Sequence, residues 1–139
     1  SHLAQPVKKL SKLKVKLEQK NKELSEIATK DPLTSLSNRR SFEEYLQKSL
    51  SYAIRHEKEI AVLFIDLDNF KFINDSYGHH IGDYLLKHVS NKLHEMLRKE
   101  DFLARLGGDE FGLIIDRDLS LNHITKTSAR INKVLSKPF

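Results

Sequence analysis

Two acidic clusters carry the chemistry this sequence can perform. Asp66-Leu67-Asp68 closes a nearly unbroken apolar run of strand length, Ile60 to Ile65, whose character suggests a buried central strand. Residues two apart on a strand share a face, so Asp66 and Asp68 point together if the strand runs on regularly past Asp66. Carboxylates and main-chain carbonyls are the hard oxygen ligands magnesium prefers, with substrate phosphates completing the shell. The pair suits a nucleotide-bound metal, although acids also end strands simply to begin a turn. The second cluster is Gly107-Gly108-Asp109-Glu110, set between the strand-like segments Phe102 to Leu106 and Phe111 to Ile115. Glycine accepts positive φ, so this is a hairpin signal, and the missing side chains let a phosphate ester approach the main chain. A tight polar turn would explain the glycines but not a second acidic pair, and Asp109 and Glu110 could meet Asp66 around one ion.

These groups need a frame. Between Leu3 and Ile27 the apolar residues repeat every seven, with Leu10, Leu17 and Leu24 at one core position and Leu13 and Ile27 at the other. Lys20 interrupts the second position, and so short a helix calls for a partner helix or an upstream domain. A solvated amphipathic helix gives the same pattern. Asp31-Pro32 should stop that helix. A second helix follows, with Phe42, Tyr45, Leu46, Leu50, Ala53 and Ile54 on one face. After the strand and a loop from Asp66 to Gly78, the spacing of Ile81, Leu85, Val89, Leu93 and Leu97 predicts a helix from His80 to Leu97. The two hairpin strands come next, then a helix over about Leu121 to Leu135. The order after Asp31 is an incomplete βαββαβ arrangement lacking its closing strand.

Composition narrows the function. The chain has 139 residues, 39% hydrophobic and 31% charged, which fits one globular domain with a segment to spare. Ser1-His2 is expected to be a cloning remnant. No run approaches the roughly 20 apolar residues of a membrane span, and no signal peptide is visible, so a cytoplasmic location is expected, with any membrane attachment coming from an upstream region. With no cysteine, disulfides and thiolate metal sites are excluded. The net charge of +5 lies wholly in residues 1–30, where eight lysines face three acids; the remainder is balanced. A neutral globular part is a poor binder of phosphate backbones, so no nucleic-acid partner is expected.

At this point the residues resemble a known family. Arg105-Leu106-Gly107-Gly108-Asp109-Glu110-Phe111 is similar to the signature of GGDEF domains, the diguanylate cyclases. Asp66 to Asp75, followed by Gly78-His79 and Gly82-Asp83, resembles their other long motif, and Asp31 to Arg40 their lead-in motif, in the same order and spacing. The resemblance covers about Thr29 to Phe139. It implies an α+β fold of the ferredoxin-like, nucleotidyl-cyclase palm type: an antiparallel sheet with helices packed on it, the last strand and helix absent, preceded by a signalling coiled coil. Domains are expected at 1–30 and 31–139. Ser35 stands where the family usually has glycine.

The resemblance implies condensation of two GTP into cyclic di-GMP as the output of a larger sensor protein. It implies Mg2+, with Mn2+ an alternative, on Asp66, the Leu67 carbonyl and Asp109. Asp109 and Glu110 would draw the proton from the attacking hydroxyl, and Lys71, the third catalytic residue, would face the phosphates or the charge developing in the transition state. Substrate would lie along Asn69, Phe70, Lys71, Gly107 and Gly108, with Asn74, His79 and Asp83 at the guanine. Arg98 and Asp101 match the family's product-inhibition motif. Two domains must face each other to close the ring, which implies a homodimer through the N-terminal helix, below an upstream sensor domain. The alternative is an inactive GGDEF module that binds GTP or cyclic di-GMP.

Overall fold

The computed structural model describes residues 4–117 and 119–136, with side chains described for 6–24, 28–117 and 119–136. The element order is α1 (Ala4–Ile27), α2 (Arg39–His56), β1 (Ala61–Asp66), α3 (Phe70–Tyr77), α4 (His79–Met96), β2 (Phe102–Gly107), β3 (Glu110–Ile115) and α5 (Leu121–Ser136). The three strands form one antiparallel sheet in the order β1-β3-β2.

The two-residue period of β3 explains the layering. Phe111, Leu113 and Ile115 face one side and join Ile65, Leu103, Leu85, Leu86, Val89, Leu93 and Ile131, so α4 and α5 cover that face. Ile114 faces the other side with Ala104 and Phe42, beneath α2. Gly112 belongs to this second face, where a methyl would come within 2.6 Å of the Phe42 ring. Burial on both sides fixes the register, since a one-residue slip would exchange the two faces.

The lead-in segment is tied on by polar contacts. Asn38 caps α2, its Oδ1 accepting from Ser41 N at 3.0 Å, while its Nδ2 donates to Ala28 O at 3.1 Å. The Ser41 hydroxyl donates to Thr29 O at 2.8 Å, so the end of α1 is stitched to the start of α2. Ser37 then bridges to Ala104 in parallel, and its carbonyl accepts from Arg105 N at 2.9 Å.

Several expectations need correction. The helix α1 stops at Ile27, ahead of Asp31-Pro32, because residues 28–30 already leave it to meet Asn38, Ser41 and Ser37. Leu3 and the Ile27 side chain lie outside the described residues. Leu10, Leu13, Leu17 and Leu24 are all exposed, so the seam has no covering partner within the described residues. The stretch expected as a loop holds α3: Asn69 turns left-handed at φ 62°, and eight residues then coil so that Phe70 and Ile73 pack inward. So short a helix carries little periodic signal. On α2, Ser49 is buried, whereas Ile54 is 78% exposed and Leu50 also faces out. Among the described residues β3 is the middle strand and β1 is paired on one side only, with Phe64 72% exposed.

Ser35 has φ 63°, a conformation costly for any residue with a Cβ, which accounts for glycine being usual there. Ser35→Gly is expected to stabilise the fold by about 0.5–1 kcal/mol, the relieved strain being offset in part by chain entropy. Thermal melting should show a Tm rise of a few degrees; a fall would contradict the strain.

Candidate functional site

The acidic site forms where β1 ends beside the hairpin. The register pairs Asp66 with Glu110, and Leu67 N–H donates to Asp109 O at 3.3 Å. Leu67 is itself in the core, beside the exposed Asp66. Asp68 lies past the strand end and is exposed, as Asp66 is, with buried Leu67 between them. The structure brings together Asp66, Leu67, Asp109 and Glu110.

The hairpin is shaped by its glycines. Gly107 and Gly108 have φ of 142° and 49°, and a bulge between Arg105 and Gly107 lets Gly107 pair with Glu110. A methyl at either glycine would meet nothing within 4 Å, so the outer surface of the turn is open for close approach.

Electrostatics favour a cation. Burial of the Asp109 carboxyl raises its pKa first; a proton shared with Asp66, and the charges of Asp66 and Glu110, raise it further, against the opposing effect of its own amide. Among the described residues no three His, Asp or Glu side chains converge as a complete metal cage. Two carboxylates and a carbonyl, crowded enough to repel, match a hard divalent ion that takes its remaining ligands from water and substrate phosphate. The Asp66 and Asp109 carboxylates could hold such an ion between them.

The other predicted residues lie on α3, on α4 and before β2. Asn69 and Lys71 are exposed at the start of α3, but the Phe70 ring between them packs into the core, so residue 70 can offer a ligand only its main chain. Asn74 is half-buried on α3; His79 and Asp83 are exposed on the first turns of α4. Arg98 and Asp101 form a closed turn, with Arg98 N–H donating to Asp101 Oδ2 at 3.1 Å and Asp101 N–H to Arg98 O at 3.1 Å. Both line a cleft of about 230 Å³ with His123, Lys126, Thr127 and Arg130 of α5.

Sequence reasoning missed the α5 residues, although His123, Lys126 and Arg130 fall at helical spacing on one face. It also missed the anchor of the hairpin. The Arg105 guanidinium donates to Asp31 Oδ1 at 3.1 Å and to Gly108 O at 2.9 Å, joining the lead-in turn to the tip that carries Asp109. Burial alone would raise the Asp31 pKa, but hydrogen bonds from Thr34 and the Arg105 charge outweigh it and hold it below the usual carboxylate value. The stabilisation it gives is therefore present above the ordinary aspartate pKa and lost as pH falls through the lowered one.

Comparison with known proteins agrees with this architecture. Residues 28–139 match the family described as "Diguanylate cyclase, GGDEF domain". The chain belongs to the GGDEF family. It is 41% identical over 129 residues to the bifunctional diguanylate cyclase/cyclic di-GMP phosphodiesterase MucR of Pseudomonas aeruginosa PAO1, covering 93% of this chain and 19% of MucR. The GGDEF-only structure of TpbB from the same strain superposes with TM-score 0.74 at 40% identity, over 79% of this chain and 64% of that one. The coiled coil and GGDEF domain of Caulobacter crescentus DgcB, solved with c-di-GMP, superposes with TM-score 0.70 at 29% identity, over 94% and 65%. The chain thus spans about a fifth of MucR.

Because the Asp109 pKa is raised, its effect on folding is most favourable at low pH and is lost as pH rises through that pKa; at neutrality the crowded charges destabilise the fold. Asp109→Asn is therefore expected to raise Tm by about 2 °C at pH 7.5 without divalent ions. Millimolar magnesium should raise the Tm of the unaltered chain and not of the variant. An unchanged metal-free Tm, or equal magnesium shifts in both, would contradict this account.

Proposed function

We propose that the chain is the catalytic output domain of a diguanylate cyclase, joining two GTP molecules into cyclic di-GMP with release of two pyrophosphates. The single observation that carries this is the meeting of Asp66, Leu67, Asp109 and Glu110 beside a glycine turn open to a phosphate. In each half of the reaction the 3′-oxygen of one GTP attacks the α-phosphorus of the other, and the bond from that phosphorus to the pyrophosphate oxygen breaks. Asp109 or its neighbour Glu110 receives the hydroxyl proton, the two carboxylates standing side by side at the hairpin. Magnesium, or manganese in its place, would supply Lewis-acid stabilisation of the charge growing on the phosphate oxygens. Lys71, solvent-facing at the start of α3, is the cation for the triphosphate, with Asn69 and the main chain of residues 70, 107 and 108 close to the phosphates. Asn74 and Asp83, with His79 nearby, read guanine: a carboxylate accepts from N1 and N2 while an amide donates to O6, a combination adenine cannot satisfy.

The α4–α5 cleft supports a second role for Arg98 and Asp101 in binding cyclic di-GMP. Arginine, lysine and histidine converge there around one carboxylate, a set suited to phosphate and to the guanine edge. The same cleft is the observation that favours the rival reading, a GGDEF module that binds nucleotide without cyclising it. Two domains are needed for two bonds, and the exposed Leu10, Leu13, Leu17 and Leu24 of α1 are the surface through which they pair. Below a sensor domain in the longer protein, the cytoplasm supplies the GTP.

GTP conversion followed by chromatography with magnesium tests the reading. Asp109→Ala should lower product formation by a factor of about 100 or more. Robust cyclic di-GMP from the variant, or none from a folded, dimeric protein carrying the unaltered domain, would replace the enzyme with the binding module. Sedimentation should show a dimer that Leu10→Lys with Leu17→Lys converts to monomer; a monomer before substitution would refute pairing through α1.

A further inference from the structure

The corner between α3 and α4 holds a contact that the nucleotide reading does not by itself require. Gly82 is buried in the first turns of α4, opposite Asn74 of α3. A methyl at Gly82 would overlap Asn74 Oδ1 and lie 2.9 Å from Asn74 Cγ, with Phe70 Cζ at 3.4 Å beyond. The carboxamide of Asn74 therefore occupies the space that any other residue at 82 would fill. The main chain fixes both sides of this contact: Gly78 N–H donates to Asn74 O at 2.9 Å, and Gly82 N–H to Gly78 O at 3.2 Å. Phe70, nine-tenths buried, closes the floor.

From this geometry we infer that Gly82 is a positioning residue for base selection, its missing side chain seating the Asn74 carboxamide against α4 beside Asp83. The inference rests on the guanine reading of Asn74 and Asp83 given above and deepens it. With Oδ1 lodged at Gly82, Nδ2 lies farther from that position and is the end the inference assigns to the base. Asp83 follows Gly82 directly, so the same turn of α4 that seats the donor also carries the acceptor. Guanine recognition needs that donor and acceptor at a fixed separation, because a base that finds one without the other leaves a polar group unpaired. A side chain at 82 would drive the carboxamide outward and misplace its donor without touching the nucleotide.

A double-mutant cycle on the full chain tests this, using GTP and ATP analogues with a methylene between the α- and β-phosphates, titrated calorimetrically with magnesium, alongside melting curves. Gly82→Ala and Asn74→Ala should each weaken the guanosine analogue about tenfold and erode its advantage over the adenosine analogue. The double variant should bind no worse than Asn74→Ala alone. Gly82→Ala should lower Tm when Asn74 is present and hardly at all when it is alanine. If Gly82→Ala keeps the full guanosine preference while Asn74→Ala loses it, Gly82 only allows helix packing and the inference is overturned alone. If Asn74→Ala binds as the unaltered chain does, the guanine reading fails and the inference fails with it. Should Gly82→Ala not fold, the comparison of the double variant with Asn74→Ala decides: equal Tm and equal preference support the inference, and additive losses overturn it.

Discussion

The guanidinium of Arg105 spans two parts of the chain that nothing else joins so directly. One side holds the Asp31 carboxylate, 74 residues away in sequence, and the other holds the carbonyl of Gly108 at the hairpin tip. Both members of the Arg105–Asp31 pair are about 15% exposed, so the interaction is screened far less than a surface ion pair. Removing either partner would leave a half-buried charge, which is the costly way to break such a pair. Through Gly108 the contact sets the hairpin turn, and the turn sets Asp109 against Asp66. Through Asp31 it sets the Thr34 turn, whose next residue, Ser35, is held left-handed. The acidic centre and the lead-in segment are thus two ends of one electrostatic strut.

That strut works only because the sheet beneath it is rigid. In β3, Phe111 to Ile115 are buried on both faces, and β1 and β2 are each paired to it along their length. Tyr45 extends the same logic to the far end of the sheet, stacking on Phe102 at 4.2 Å and donating to Asp116 at 2.9 Å. Its phenol is pushed above the usual range, by burial first and then by the Asp116 carboxylate, so it remains a donor throughout the neutral range. Crowding Asp109 against Asp66 is the unfavourable element that this framework tolerates, and unfavourable charge pairs of that kind gather where chemistry needs them.

Much of this was legible in the sequence because the relevant signals are local. Gly107-Gly108 between two apolar runs announced a hairpin, and Ile65-Asp66 marked a strand end at the point where the pairing stops. What escaped depends on tertiary contacts. Nothing local shows that β3 rather than β1 is central, since both read as apolar runs and only pairing distinguishes them. The exposure of Leu50 and Ile54 follows from α2 packing on β2 across a stripe that ends at Ala53. The Arg105–Asp31 pair and the α5 wall of the cleft join residues whose sequence separation hides them. Four of the site residues, Asn69, Phe70, Lys71 and Asn74, sit on or beside α3, whose eight residues are too few for periodicity to reveal.

The placement of the acidic centre and the α4–α5 cleft, the two regions proposed to bind nucleotide, limits how one can influence the other. Asp101 precedes β2 and Gly107 ends it, so the cleft and the hairpin lie at opposite ends of a six-residue strand, about 20 Å long when extended. That strand is held on one side by β3 and on the other by Ser37, and sliding it would break both sets of hydrogen bonds and move every side chain to the wrong face. A ligand between α4 and α5 therefore cannot reach Asp109 by shifting β2 within an intact domain. The softer degrees of freedom are the orientation of whole domains and the short stitched segment between α1 and α2. Asn38 and Ser41 hold that segment through four hydrogen bonds, three to Ala28 and Thr29 and one in the cap, which are fewer than those that hold the sheet. If two such domains pair as proposed, coupling between the cleft and the acidic centre has a softer route in how one domain is presented to another than in a slide of β2.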